Sequence, residues 1–308
     1  MELFWLNPII AFFCGIFLSF FFRKVNARIQ GRRGPLIIVP QSLHDINHSK
    51  VLQPLYDILK LFSKKTIIPT AARSLFILSP VFAFLCAFTA CFFVPVAGIA
   101  YVYPFSLVIL FYLLMGELLF EIVGGIASGS LFSVIGGVRE VELLLANELP
   151  FILGTFALAI SYNTLSIQEM MGFHILTNPF AAIALFLAIL VKLHMKPFDI
   201  SEAESEIVSG LTTEYNGKLL GLLDATKIIM LFVLVALFAG LFLWVPATGL
   251  AAWFIFLTGI GATVLMLAIV HSLFSRFRID QATRWLLKVP LALSIIAVIL
   301  AVVQRYVL

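Results

Sequence analysis

Charge is scarce in this sequence: Asp, Glu, Lys and Arg make up 12% of its 308 residues, about half their share in an ordinary soluble domain. Cysteine is scarcer still. Cys14, Cys86 and Cys91 all lie in apolar runs and none belongs to a C-x-x-C pair, so neither an iron–sulfur cluster nor a zinc site can be built from this chain alone. His44 and His48 are four apart but lack a third ligand nearby, while His174 and His271 are isolated. No Walker, G-x-S-x-G or dinucleotide fingerprint occurs, and no nucleic-acid partner is expected. The first apolar run has neither a basic start nor an A-x-A cleavage site, which makes it a mature helix rather than a removed signal. No repeat relates residues 1–150 to 151–308, which argues against an internally duplicated transporter.

What is present in excess is apolar surface. Hydrophobic residues reach 62%, with 31 Phe and a mean hydropathy of +1.11, more than one water-soluble core could hide. The expected fold is an all-α polytopic membrane protein, a single membrane domain over 1–308. Counting runs of roughly 20 apolar residues predicts about eight transmembrane helices. They fall at Leu3–Phe22, Leu75–Val94, Pro104–Ile126, Val141–Ser161, Pro179–Leu193, Ala225–Val245, Leu250–Leu273 and Val289–Tyr306, the fifth being short. With eight spans, nineteen of the twenty Lys and Arg residues fall on one side and only Arg305 on the other. The positive-inside rule then puts loops 1, 3, 5 and 7 in the cytoplasm of a cell-membrane protein, with both termini outside. Pro80, Gly116, Gly124-Gly125 and Gly136-Gly137 are expected to serve close helix packing.

Three places could carry chemistry. Loop 1 (23–73) is long and basic, opening with Arg28-Ile29-Gln30-Gly31-Arg32-Arg33-Gly34-Pro35. Within it, Leu52, Leu55, Leu59 and Phe62 share one face at helical spacing, which predicts an amphipathic helix in the membrane interface. In loop 5 (195–224) the stretch 196–217 holds Asp199, Glu202, Glu204, Glu206 and Glu214, five of the sixteen acids, interleaved with apolar residues on the basic side. That pattern suits a buried or interfacial charge network better than a free tail. The third set is intramembrane: Glu117 and Glu121 face the same way on the third span. Arg139, Glu140 and Glu142 stand at the entrance to the fourth, ahead of Glu148. Ionisable groups at such depth cost about 2.5 kcal/mol or more each, so they mark a function or a partner. Lys192, His194, Asp224 and Lys227 would extend the row toward loop 5, giving a proton or cation relay. The bland alternative pairs Glu148 with Arg139 as a structural ion pair.

These segments resemble the subunit-1 family of respiratory complex I, which also includes the equivalent membrane subunit of group 4 membrane-bound [NiFe] hydrogenases and related ferredoxin-dependent complexes. The similarity rests on Arg28-Ile29-Gln30 with Arg33-Gly34-Pro35, on Gln53-Pro54, Asp57 and Lys60, and on Pro197-Phe198-Asp199, Glu202, Glu204 and Thr213-Glu214-Tyr215 with Gly217, in order over most of the chain. It implies a non-redox subunit that is no enzyme by itself and holds no cofactor. Iron–sulfur clusters and, in hydrogenase-type members, a NiFe centre would sit in partners: a cluster-bearing small subunit and a hydrogenase-like large subunit. Arg28, Gln30, Arg32, Arg33, Gln53, Asp57 and Lys60 would help dock that arm. The acids named above would pass redox energy to antiporter-like membrane neighbours.

Departures choose the branch. Quinone-reducing members typically carry a Trp-Ser-Ser-Asn-Ser-Lys-Tyr-like stretch before the arginine of the fourth helix, Gln four residues after it and Tyr just before the Glu. Here the chain reads Gly125-Ile126-Ala127-Ser128-Gly129-Ser130-Leu131-Phe132, with Leu143 and Asn147 at the other two places. The resemblance therefore points to the hydrogenase-type, ferredoxin-dependent branch. A quinone-binding subunit of complex I is the alternative, and a stand-alone ion-coupled transporter a distant one.

Overall fold

The computed structural model describes residues 5–32, 34–35, 50–69, 71–99, 101–247 and 249–307. Arg33, His44 and His48 lie outside them, as does the side chain of Glu204. Seven described helices are long and apolar enough to cross a membrane. These are α1 (Asn7–Ile29), α3 (Arg73–Phe93), α4 (Ser106–Ala127), α5 (Leu131–Tyr162), α8 (Gly217–Phe242), α9 (Leu250–Leu273) and α10 (Ile279–Val307). The eighth crossing belongs to α6 (Pro179–Lys192), and two shorter helices, α2 (Gln53–Ser63) and α7 (Glu204–Ile207), lie in loops 1 and 5. The described residues form no named strand.

α8 is the hub. From Ala225 to Phe242 only Lys227 escapes full burial, and α1, α3, α9 and α2 pack around it. A helix apolar on every side must be covered by protein as well as lipid. Close approach is possible because Gly15 of α1 meets the Ile228 carbonyl, where a Cβ would come within 2.5 Å. On the other flank α10 packs along α5 and α6, and α3 pairs with α4.

Two boundaries differ from the sequence reading, and both matter for the site. α5 begins at Leu131, ten residues before the expected Val141, because Ser130-Leu131-Phe132-Ser133 continues its apolar face. Loop 3 shrinks to a turn, and Arg139 and Glu140 lie inside the helix rather than ahead of it. α6 has 14 residues, about 21 Å of helix against a hydrocarbon core of about 30 Å. It stops at Leu193 because His194 is left-handed (φ 48°) and Pro197 cannot continue a helix.

α2 is amphipathic as expected, but its anchoring face is shifted. Pro54 and Ile58 are buried, Leu55 of the expected stripe packs beside Ile58, and Leu61 and the Phe62 ring lie against Gly221 of α8, while Leu52 and Leu59 stay exposed. The helix is pinned by one side and presents the other outward.

Loop 5 does not float above the bundle. Gly210 and Leu211, in a 3-10 turn (Gly210–Thr212), lie on the small residues of α4 and α5. A Cβ on Gly136 would meet Gly210 Cα, Leu211 N and the Ser201 carbonyl, all at 3.0 Å, and one on Gly125 would meet the Leu211 side chain and carbonyl. Gly136→Leu should therefore lift loop 5 off the bundle, costing about 1–3 kcal/mol as overpacking does. The readout is faster amide exchange over 197–213 and a lower melting temperature in detergent. Gly261→Leu, which opens into free space, should change neither.

Candidate functional site

Loop 5 is fastened from both sides before it reaches the charged interior. Phe198 is fully buried against Phe277 and Trp285, and the Phe277 amide donates to the Pro197 carbonyl at 3.0 Å. Arg276 donates to Asp199 at 2.7 Å. Arg139 of α5 donates to the Ile200 carbonyl at 3.3 Å and to Glu206 at 2.7 Å. At the far end of the loop Tyr215 stacks on Phe76 at 4.1 Å and donates its hydroxyl proton to the Phe76 carbonyl. Asn216 accepts from the Ile67 amide at 2.7 Å and donates to the Ile67 carbonyl at 3.2 Å, clamping loop 1 to loop 5.

Held this way, the loop delivers Glu202 to Lys227 of α8, and the two are in direct contact. The same amine lies 3.8 Å from Glu121 of α4. Next to them, His194 Nε2 is 3.1 Å from Glu140 of α5. At the end of α6, Lys192 pairs with Glu148 at 2.5 Å and sits 4.8 Å over the Phe151 ring. Glu117, Glu121, Lys192, His194, Glu202 and Lys227 together line a small cavity of about 100 Å³. Glu117, Glu121 and Glu140 are at most 6% exposed. Lys227 also borders a second cavity of about 250 Å³, lined by Arg23, Asp57 and Asp224.

The short α6 is what makes this meeting possible. By ending early it brings Lys192 and His194 into the bundle and turns the chain directly into loop 5. Electrostatics follow from the neighbours. Burial alone would discharge the His194 ring, but Glu140, with Glu202 and Glu121 behind it, overrides burial and raises the ring to about 10. Glu202 is held below the usual carboxylate range: burial opposes this, and Lys227 with His194 outweighs it.

Most of the expected row is thus brought together, and four parts of the expectation change. Arg139 does not pair with Glu148: nine residues of helix separate them, and their partners are Glu206 and Lys192. Glu142 is exposed, since two residues from Glu140 place it about 200° around the helix. Glu214 is exposed as well, away from the cluster. Asp224 sits in the second cavity, not in the first. In loop 1, Arg28, Gln30 and Arg32 stand exposed at the end of α1, with Asp57 and Lys60 exposed on α2 and Gln53 half-buried. Arg276, Asn216 and Ser201 were missed as builders of the site. Ser201, fully buried, lies beside Glu140. Only Asn216 had a local signal, an Asn-Gly pair opening a helix. Among the described residues no group of three His, Cys, Asp or Glu is placed to hold a metal.

An all-helical membrane protein with a charged row leading from an extramembrane loop to its central helix is built as one part of a larger membrane machine. The match to the NADH dehydrogenase family model over residues 2–302 identifies which: the chain belongs to this family, the subunit-1 membrane component of complex-I-like respiratory complexes. It is 32% identical to the H subunit of NADH-quinone oxidoreductase from Geobacillus thermodenitrificans over 302 residues, covering 92% of this chain and 87% of the relative. The corresponding protein of Geobacillus kaustophilus gives the same identity and coverage. Among solved structures, a chain of the membrane-bound sulfane sulfur reductase, an archaeal respiratory membrane complex, superposes with a TM-score of 0.84 at 29% identity, covering 97% of this chain and 98% of that one.

A histidine raised above its unfolded value of about 6.5 stabilises fully below that pH and loses the contribution as pH rises through its folded value. The gap in melting temperature between the wild type and His194→Gln should be widest at or below pH 6.5 and should close through pH 10. A gap independent of pH would mean that the ring carries no charge.

Proposed function

We propose that this chain is the membrane anchor and coupling subunit of a complex-I-like, ferredoxin-dependent respiratory complex of the membrane-bound hydrogenase type. Loops 1, 3 and 5 would face the cytoplasm and grip a cluster-bearing small subunit and a hydrogenase-like large subunit. The row of charges would pass redox energy to antiporter-like neighbours that move protons or sodium. Clusters and any nickel centre belong to those partners.

The observation that carries this reading is the position of Lys227, in contact with Glu202 of the loop and 3.8 Å from Glu121 of the bundle. Redox turnover beside loop 5 shifts the charge or position of Asp199, Glu202 and Glu206. When Glu202 draws back, the amine has Glu121 left as its near counter-charge, and the change is felt at Glu117 across the same cavity. Glu140 with His194 and Glu148 with Lys192 continue the row. Asp224 gives Lys227 an outlet to the second cavity. Glu142 and Glu214, being exposed, are left as docking groups.

The branch assignment is supported by Leu143 and Asn147. The first is fully buried and the second donates to the Ala188 carbonyl at 3.1 Å, so both serve packing where quinone-reducing members carry polar groups. Similarity to a sulfane sulfur reductase chain along nearly its full length supports the same branch. The quinone alternative keeps one observation in its favour beyond the names of its relatives: an apolar cleft of about 360 Å³ between α1, α2, α3 and α8, lined by Phe12, Ile58, Phe62 and Phe84. Purifying the complex separates them. A large subunit carrying two C-x-x-C pairs for nickel supports hydrogenase, one lacking them supports another acceptor, and quinone reduction by the purified complex overturns the assignment.

Glu121→Gln keeps shape while removing the carboxylate charge next to Lys227. In vesicles the complex should assemble and transfer electrons, while gradient formation falls roughly tenfold, and adding Glu148→Gln should make it little worse. Full pumping in Glu121→Gln removes Glu121 from the route. Separately, Arg28→Ala with Arg32→Ala should release the peripheral arm at lower salt than wild type, as expected for exposed ion pairs, with insertion unchanged. Equal salt resistance would reduce these bases to topology signals.

A further inference from the structure

At the end of the bundle away from loop 5, a second polar site is built where lipid headgroups lie. α5 closes at Tyr162, Asn163 follows in the left-handed conformation (φ 53°), and the chain turns through Thr164 to Met170. This turn is firmly held. The Leu107 amide donates to the Leu165 carbonyl at 3.1 Å, the Ile167 amide to the Ser106 hydroxyl at 2.9 Å, and the Gln168 side chain to the Gly98 carbonyl at 3.1 Å. Exposed Tyr101, Tyr103 and Tyr162 ring this end, the residues that favour a membrane–water interface.

Between the turn and the end of α10 opens a cavity of about 510 Å³. One wall is apolar, formed by Phe105, Phe156, Ile160 and Leu165. The lining also carries one base and one acid, Arg305 from α10 and Glu169 from the turn. Thr164 donates to Glu169 at 2.5 Å, which fixes the carboxylate, and among the described residues Arg305 has no ion-pair partner. Ser166, 2% exposed, also lines the cavity, and its hydroxyl has no hydrogen-bond partner there. Arg305 is also the one base of the twenty that the sequence places at this end, where the positive-inside rule disfavours it.

We propose that this cavity binds an aminophospholipid, with its phosphate at Arg305, its ammonium at Glu169 and the start of its acyl chains along the Phe105–Phe156–Ile160 wall. The charges choose the headgroup. A lone base would accept any anionic lipid, but a fixed carboxylate in the same cavity repels a purely anionic headgroup and attracts one that carries its own cation. The apolar wall separates a lipid from a free phosphate, which has nothing to place there.

The test uses the full-length chain, purified in detergent and stripped of lipid, with retained lipid counted by native mass spectrometry. Dioleoylphosphatidylethanolamine should be retained roughly tenfold more than dioleoylphosphatidylglycerol, a difference of about 1.4 kcal/mol. Arg305→Gln should abolish retention of the first, and Glu169→Gln should bring the two lipids level. Equal retention of both by the wild type overturns the proposal, as does retention unchanged by Arg305→Gln, which would leave that residue as a cation at a helix C-terminus. If soluble O-phosphoethanolamine displaces the lipid at equal concentration, the site reads a small zwitterion and the lipid assignment falls.

Discussion

A single ammonium group, Lys227, governs the architecture around it. It sits ten residues into the most deeply buried of the spanning helices, where an unanswered charge would cost several kcal/mol. No neighbour beyond it on α8 can answer it, because the helix carries no other charge from Ala225 onward. Besides Asp224 one turn earlier on the same helix, the counter-charges come from elsewhere: Glu121 from α4, and Glu202 from a loop that must fold down into the bundle to reach it. The glycines of α4 and α5, the early end of α6, the burial of Phe198 and the Asn216 clamp all serve that descent. The loop is structure, in the sense that the bundle needs it.

That dependence gives the cluster its mechanical character. Removing one partner of a buried ion pair costs about 3–5 kcal/mol, far more than a surface pair is worth, so a displacement of loop 5 cannot be absorbed locally. Arg276 with Asp199 and Arg139 with Glu206 tie the loop to the α9–α10 turn and to α5, Glu206 being the most exposed of these groups. Ties to three separate elements make a loop that a docked subunit can bias while the core still feels the result.

Apolar run length and charge placement made the fold legible: seven spans, the short α6 and the amphipathic α2 all follow from them. Boundaries were read less well where polar residues occur inside helices. Arg139 and Glu140 looked like a loop because charges usually end a span, and here they continue one because loop 5 supplies their partners. Glu117, Glu121, Glu140 and Glu148 were visible as expensive residues, and Glu202 as part of an acidic stretch interleaved with apolar ones. Pairing was not visible, since it depends on how α6 rotates and where it stops. The alternative that matched Arg139 with Glu148 rested on nearness in sequence, whereas each has its partner on another element. Arg276 and Asn216 act across long stretches of chain, which no local pattern reports.

The order of the residues along the chain has a consequence for biogenesis. A ribosome delivers Glu117 and Glu121 first, then Glu140 and Glu148, and only afterwards Lys192, His194, Glu202 and Lys227. Glu121, Glu140 and Glu148 must therefore enter the bilayer before their cations have been made. α4 and α5 can be inserted early, but they cannot settle against their final neighbours until α8 arrives, more than sixty residues after the last of those acids. The charged cluster is then the last part of the molecule to close. A chain truncated between α5 and α6 leaves Glu117, Glu121, Glu140 and Glu148 without their cations, a state that membrane quality control is well placed to recognise and remove.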